Sequence, residues 1–296
     1  MPIPESQLDT WSHQGSIAQS SATYASIKNV LQDPGAPYAS APFDVFLQGS
    51  YGNDTNIYKE SDVDVVIQLG DTFFYDLDRL REEEKSAFMA AYPSPTYPYP
   101  IFRGNVVSHL RSAFGSSVKE GTKAVKISPS GSRRSADVLI AASYRRYHRF
   151  RSRTDESYDS GLLFFTSAGE RVANYPRQHS ANCTGKHQAT GSGFKPMVRI
   201  FKNLRSRLVA DGLLASGVAP SYYVEALLYN VPDEKFGGSY QESFVEILTW
   251  LQKANRSEFV CANEQYYLLR DDPHVTWSSA SCESFLDAIV KAWNAW

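Results

Sequence analysis

A chain of 296 residues with 42% hydrophobic and 21% charged side chains is long enough to bury a large core, and its composition excludes disorder. Lys plus Arg number 30 against 32 Asp plus Glu, a formal charge of −2, which excludes a polyanion-binding surface spread over the whole molecule; any such site must be local. The three cysteines, Cys183, Cys261 and Cys282, are far apart with no CxxC pair, which excludes a disulfide framework or a cysteine zinc site and fits the cytoplasm. No apolar run approaches the ~20 residues of a membrane span, and the first residues lack a signal-peptide pattern.

In chain order, residues 5–32 carry Leu8, Trp11, Ile17, Tyr24, Ile27 and Leu31 at helical spacing, which predicts one long packing helix ended by Asp33-Pro34-Gly35. A strand-like run, Phe43 to Leu47, then meets Gln48-Gly49-Ser50. This turn allows close backbone approach and offers N–H groups and a hydroxyl to a phosphate. A second strand follows from Ser61 to Leu69. Side chains alternate faces on a strand, so Asp62 and Asp64 project together while Val63, Val65, Ile67 and Leu69 enter the core. Two carboxylates on one rigid face suit a hard divalent cation; Mg²⁺ takes oxygen ligands and completes its shell with water and substrate phosphates.

Asp71 to Tyr92 reads as a charge-laden helix and Tyr92 to Pro100 as an extended, proline-rich connector. Phe102 to Phe114 returns to helical spacing, which Gly115 ends. Val118–Ser128 and Ser135–Ala142 read as paired strands. The second carries Asp137 among Val138, Leu139 and Ile140, where an ionised carboxylate is costly without a cation or partner; a third carboxylate joining Asp62 and Asp64 supplies the reason. Tyr144 to Arg153 interleaves basic and aromatic residues, a pattern shared by solvated strand extensions and nucleic-acid grooves. Leu162–Thr166 reads as a strand. Arg177–Gly193 has no periodicity and marks a lobe boundary, and His179 and His187 lack partners at metal-ligand spacing. From Phe194 the chain turns helical: a stripe from Met197 to Val209, a helix opened by Pro220, and helices at 240–254 and 279–296. The expectation is an α/β (α+β) lobe with a mixed sheet over residues 1–185 and an α-helical lobe over 186–296.

Three carboxylates beside a Gly-Ser turn suit two-metal phosphoryl or nucleotidyl transfer. Gly49-Ser50 followed by Asp62-Val63-Asp64 and Asp137 resembles the polymerase-β-type nucleotidyltransferase signature. The whole chain, through Pro4 to Leu8, Trp11 to Gly15, Asn174-Tyr175-Pro176, Pro220-Ser221-Tyr222 and Asn230 to Asp233, resembles the bacterial cGAS/DncV-like nucleotidyltransferases, and among them the CdnE clade. The resemblance implies a bilobal fold of the cGAS and oligoadenylate synthetase kind, with a nucleotide cleft between the lobes. It implies two Mg²⁺ per site with Mn²⁺ as a substitute, nucleoside triphosphate substrates, and a cyclic dinucleotide signal read by an effector in CBASS antiphage defence. It gives Asp62, Asp64 and Asp137 the metals, Gln48, Gly49 and Ser50 the phosphates, Lys202 and Ser221 the triphosphate and Tyr222 the donor base.

Asn174 stands where pyrimidine-using members meet uracil, which implies UTP as one substrate, paired with UTP or ATP; a turn-capping Asn before Tyr-Pro is the plain alternative. The expected enzyme is a monomer that needs neither membrane nor DNA. The metal motif by itself also fits a template-independent RNA or tRNA nucleotidyltransferase. A degenerate, non-enzymatic binding module would need a broken carboxylate set, and all three are present.

Overall fold

The computed structural model describes every residue except 1, 16, 60, 61, 93–96, 271 and 273, and the side chain of Asp71. Ser61 of the motif and the middle of the proline-rich connector therefore lie outside the described residues. The helices are α1 (Glu5–Ser12), α2 (Ile17–Leu31), α3 (Gly49–Gly52), α4 (Glu82–Ala91), α5 (Tyr99–Phe114), α6 (Pro176–Ala189), α7 (Phe194–Ala210), α8 (Ser221–Tyr229), α9 (Tyr240–Lys253) and α10 (Ser279–Ala295). The strands are β1 (Phe43–Leu47), β2 (Val63–Asp76), β3 (Val118–Glu120), β4 (Val125–Ile127), β5 (Ala136–Ser152), β6 (Asp155–Phe165) and β7 (Arg171–Asn174). Among the described residues no helix is long and apolar enough to cross a membrane.

The chain divides into two compact units. One comprises Ala18–Leu47 and Asp62–Pro176; the other comprises Met1–Ile17, Gln48–Ser61 and Arg177–Trp296. The expected break after residue 185 thus falls at Pro176/Arg177. Two stretches of the amino-terminal half, one of them the Gly-Ser turn, belong with the helices.

The first unit is built on one mixed sheet in the order β1-β2-β5-β4-β3, with β6 paired to β5 and β7 to β6. β2 and β5 run parallel. Val63, Val65, Ile67 and Leu69 are wholly buried and pack with Ile27 and Leu31 of α2 and Phe102, Val106 and Leu110 of α5. Each such side chain contributes roughly 1.5–3 kcal/mol by leaving water. β5 is long because its two parts serve different neighbours: Ala136–Val138 pair with β4, and Ala142–Ser152 pair with β6.

The basic and aromatic run lies on this second part and is paired internally. Arg145 stacks over Phe73 at 4.2 Å and Tyr158 at 4.6 Å and reaches Glu156 at 3.4 Å. Arg146 pairs with Asp76, His148 with Asp159, and Arg149 and Arg151 share Asp155. Tyr144, Tyr147 and Phe150 are buried. These contacts fit the strand-extension alternative, not a nucleic-acid groove.

In the second unit α7 is central. Met197, Ile200, Phe201, Leu204 and Leu208 are buried in a core shared with Leu8 of α1, Leu227 of α8, Phe244 of α9 and Phe285 of α10. Three local expectations differ from the structure. The amino-terminal helix is two, because Gly15 lies so close to the Ile57–Tyr58 backbone that an added Cβ would come within 2.7 Å of Ile57. Residues 71–76 extend β2, and α4 begins only at Glu82. Arg177–Ala189 is helical, within α6; its buried residues are His179 and Cys183, so it shows no apolar stripe to the eye.

Replacing Arg145 with Ala removes three ring contacts, to Phe73, Tyr92 and Tyr158, and leaves Glu156 without its guanidinium. The expected cost is about 2–3 kcal/mol in urea denaturation, whereas Arg151→Ala should stay within about 0.5 kcal/mol.

Candidate active site

The carboxylates of the first unit are arranged by sheet register. Asp64 on β2 stands directly opposite Asp137 on the parallel strand β5. In-register residues of neighbouring strands project to the same face, so this is the face opposite Val63, Val65 and Ile67. Asp62 precedes β2 by one residue. Lys126 of β4 stands opposite Asp137 on its other side, and its ammonium lies 3.6 Å from Asp62 Oδ2. Burial pushes the Asp137 carboxyl above its ordinary value; Lys126 pulls it down and the charge of Asp62 pushes it up again. An all-oxygen donor set on rigid strands, partly exposed and in need of positive charge, fits a divalent cation of the Mg²⁺ kind. Lys126 is a member of this face that sequence reading missed.

The turn belongs to the second unit. Gly49 has φ +65°, a left-handed conformation that favours glycine, and opens the single turn of α3. Gly52 N–H donates to Gln48 O at 3.3 Å, Asn53 N–H to Gly49 O at 3.1 Å and Thr55 N–H to Ser50 O at 2.9 Å. The segment that follows rests on a stripe of buried cations. Lys195, Arg199 and Lys202 are spaced i, i+4, i+7 on one face of α7 and are 6%, 9% and 0% exposed. Lys195 pairs with Asp54 at 2.9 Å, Arg199 donates to the Asp54 carbonyl, and Lys202 donates to the Thr55 carbonyl at 2.8 Å.

A buried carboxylate completes this arrangement. Glu225 of α8 is 2% exposed and accepts from Thr55 Oγ1 at 2.5 Å, Asn53 Nδ2 at 2.9 Å and His179 Nε2 at 2.8 Å, with Lys202 Nζ 3.9 Å away. Burial opposes its charge, but the hydrogen bond and charge of His179, the charge of Lys202 and the Thr55 hydroxyl outweigh it and bring the carboxyl down to about 2. His179, Cys183 and Glu225 place potential ligand atoms within 4.8 Å of one another. They do not fit a metal: the oxygens of Glu225 already accept three donors, Lys202 supplies the cation, and burial holds the Cys183 thiol well above its usual range.

Ser221 is the first residue of α8, capped by Pro220, and accepts a hydrogen bond from Arg205 Nη1 at 3.1 Å. Arg205, Ser221, Lys59 and Ser206 line an open cavity of about 480 Å³. A helix start with a guanidinium beside it suits a phosphate. Tyr222 lies with its ring stacked on His179, centroids 4.7 Å apart at 23°, and its hydroxyl accepts from Asn263 at 3.0 Å. Asn174 ends β7 opposite Leu162, and its Oδ1 accepts from the N–H of Tyr175 at 2.8 Å. The local capping bond therefore forms, and it orients the amide.

Because the Glu225 carboxyl is lower in the folded chain than its ordinary 4.5, its contribution is full above about pH 4.5 and is lost as pH falls toward 2. At ~1.4 kcal/mol per unit this is about 3 kcal/mol. Acid-unfolding curves should show that limb in the native chain and a flatter one in Glu225→Gln.

The family of cGAS/DncV-like nucleotidyltransferase C-terminal helical domains matches residues 181–294. A cyclic UMP-AMP synthase of Rhodothermus marinus is 38% identical over 298 residues, covering 100% of this chain and 99% of the relative. The solved structure of the Rhodothermus marinus CdnE c-UMP-AMP synthase with Apcpp and Upnpp superposes with a TM-score of 0.90 at 37% identity, covering 100% of this chain and 98% of that one. A cyclic dipurine nucleotide synthase of Elizabethkingia meningoseptica is 29% identical over 297 residues, covering 99% of this chain and 98% of the relative. An overall match of this extent, with an intact carboxylate face, makes the chain a nucleotidyltransferase that belongs to the cGAS/DncV-like family, in its CdnE branch of cyclic nucleotide synthases.

Proposed function

We propose that the chain joins nucleoside triphosphates into a uridine-containing cyclic dinucleotide, cyclic UMP-AMP or cyclic di-UMP. The observation that carries the chemistry is the register that sets Asp64 against Asp137 on adjacent parallel strands, with Asp62 beside them. Two divalent cations held by these three carboxylates, Mg²⁺ with Mn²⁺ as a substitute, would neutralise the donor triphosphate and the developing negative charge. Asp137, which stands in register with Asp64 on this face, would accept the proton of the acceptor 3′-hydroxyl. The 3′-oxygen forms a bond to the donor α-phosphorus as the bond to the bridging oxygen breaks and pyrophosphate leaves. A second attack of the same kind closes the ring.

The chain's other residues contribute positioning. Gly49 and Ser50 bind phosphate oxygens through backbone and hydroxyl, and Gln48 closes the turn through its carbonyl, which accepts from Gly52 N–H. Ser221 and Arg205 hold the triphosphate at the start of α8. Lys202 acts by holding the turn through Thr55; because it is wholly buried, direct contact with the triphosphate would require its side chain to move. Tyr222 has His179 against one ring face, and stacking on a base would use the other.

Asn174 Oδ1 accepts from Tyr175 N–H, so recognition of a base would fall to its amide hydrogens. Amide donors suit a carbonyl at the base edge, as in uracil O4, and disfavour the amino group of cytosine. The name of the Rhodothermus marinus relative supports the same choice. The enzyme would work as a cytoplasmic monomer in CBASS antiphage defence, its product read by a separate effector. The RNA-extending alternative gains nothing from the internally paired basic run on β5.

Incubation with labelled nucleoside triphosphates and Mg²⁺ should yield a small phosphatase-resistant product containing uridine. Asp64→Asn with Asp137→Asn should abolish it, at least 10³-fold by the magnitudes of electrostatic catalysis, in a chain that still folds. Asn174→Ser should lower uridine incorporation relative to the other bases, and an unchanged product spectrum would count against the assignment.

A further inference from the structure

Glu225 lies three and four residues beyond Tyr222 and Ser221 on α8, and its hydrogen bonds reach in two directions. Toward the turn, Oε1 takes the Thr55 hydroxyl and Oε2 the Asn53 amide. Those two residues also close the turn by backbone, Asn53 onto Gly49 and Thr55 onto Ser50. Toward the base platform, Oε2 takes Nε2 of His179, the ring on which Tyr222 is stacked. Among the described residues the buried Nδ1 of His179 has no hydrogen-bond partner, so the bond from Nε2 to Glu225 is the polar contact that orients this ring.

The buried carboxylate needs both an opposing charge and several donors. Lys202 lies 3.9 Å away and is itself wholly buried, which supplies the opposing charge. The donors come from separate segments: two flank the end of the phosphate turn and one supports the aromatic ring. Such a network has few ways to rearrange in part, because a lost donor leaves a buried charge under-solvated.

We propose that Glu225 is a positioning residue that couples the Gly49–Ser50 phosphate turn to the Tyr222 base platform, through Asn53 and Thr55 on one side and His179 on the other. The proposal rests on the nucleotide-binding roles assigned above. Its consequence is that the turn and the platform are ordered together before nucleotide arrives, so the ordering cost is already met in the free protein. Disturbing one end then weakens the grip of the other. The effect falls on nucleotide affinity more than on the chemical step, since Glu225 touches neither the reacting phosphorus nor the carboxylate face.

The test is a double-mutant cycle on the full chain, read as the dissociation constants of non-hydrolysable UTP and ATP analogues, with KM and kcat alongside. Thr55→Val removes the hydroxyl at one end, and Tyr222→Leu removes the ring at the other. In the native background the Thr55→Val penalty should shrink by about 5-fold or more once Tyr222 is Leu, whereas in Glu225→Gln the two penalties should multiply. If Glu225→Gln does not fold, His179→Phe replaces it, because a ring stays beneath Tyr222 while the link to Glu225 is cut. Penalties that multiply in the native background overturn the coupling and leave the nucleotidyltransferase reading intact. A native chain that binds neither analogue overturns both.

Discussion

A single buried carboxylate sets the terms for the helical unit. Glu225 sits inside a helix whose neighbours Val224, Ala226, Leu227 and Leu228 are all inaccessible. A charge in such a place survives only with several donors and an opposing cation, and removing one partner typically costs about 3–5 kcal/mol. The donors are Thr55, Asn53 and His179, and the cation is Lys202. Meeting the demand of that one group draws in a segment some 170 residues earlier in the chain, with |i−j| of 170 for Thr55. With Lys195 and Arg199 completing the stripe on α7, it explains why Gln48–Ser61 belongs to the helical unit although strands of the other unit flank it.

The two units obtain their rigidity from different sources. In the sheet unit, backbone ladders and the core beneath β2 and β5 fix the carboxylates, and side-chain identity matters little beyond apolar volume. In the helical unit, a one-turn helix too short to be stable alone is held by side-chain hydrogen bonds and ion pairs. On the proposed roles, the groups that need fixed separations stand on backbone ladders, and those that grip a flexible triphosphate stand on side-chain networks.

The parts legible in the sequence were those with a period or a cost. Alternation around Val63–Leu69 placed Asp62 and Asp64 on the polar side of β2, and the expense of Asp137 among apolar neighbours marked it as a member of the same group. The identical argument applies to Glu225, which stands alone in an apolar run, and it would have pointed there. Lys195, Arg199 and Lys202 recur at helical spacing and could have been read as a second, polar stripe beside the apolar one. What was illegible depends on long-range partners. α6 buries a histidine and a cysteine in place of an apolar stripe, so its helicity has no periodic signal, and His179 gains meaning only beside Glu225 and Tyr222. Lys126 is an ordinary strand lysine until register sets it against Asp137. The Gly15 break depends on a backbone more than forty positions away.

The in-register pair of Asp64 and Asp137 has one more consequence. Its spacing is that of neighbouring strands, ~4.8 Å, a distance the peptide backbone supplies whatever the surrounding sequence does. Asn174, by contrast, ends β7, a strand off the main sheet path that among the described residues pairs with β6 alone. If Asn174 reads the base as proposed, a lineage built this way can keep one reaction constant while changing the letters of the message it writes.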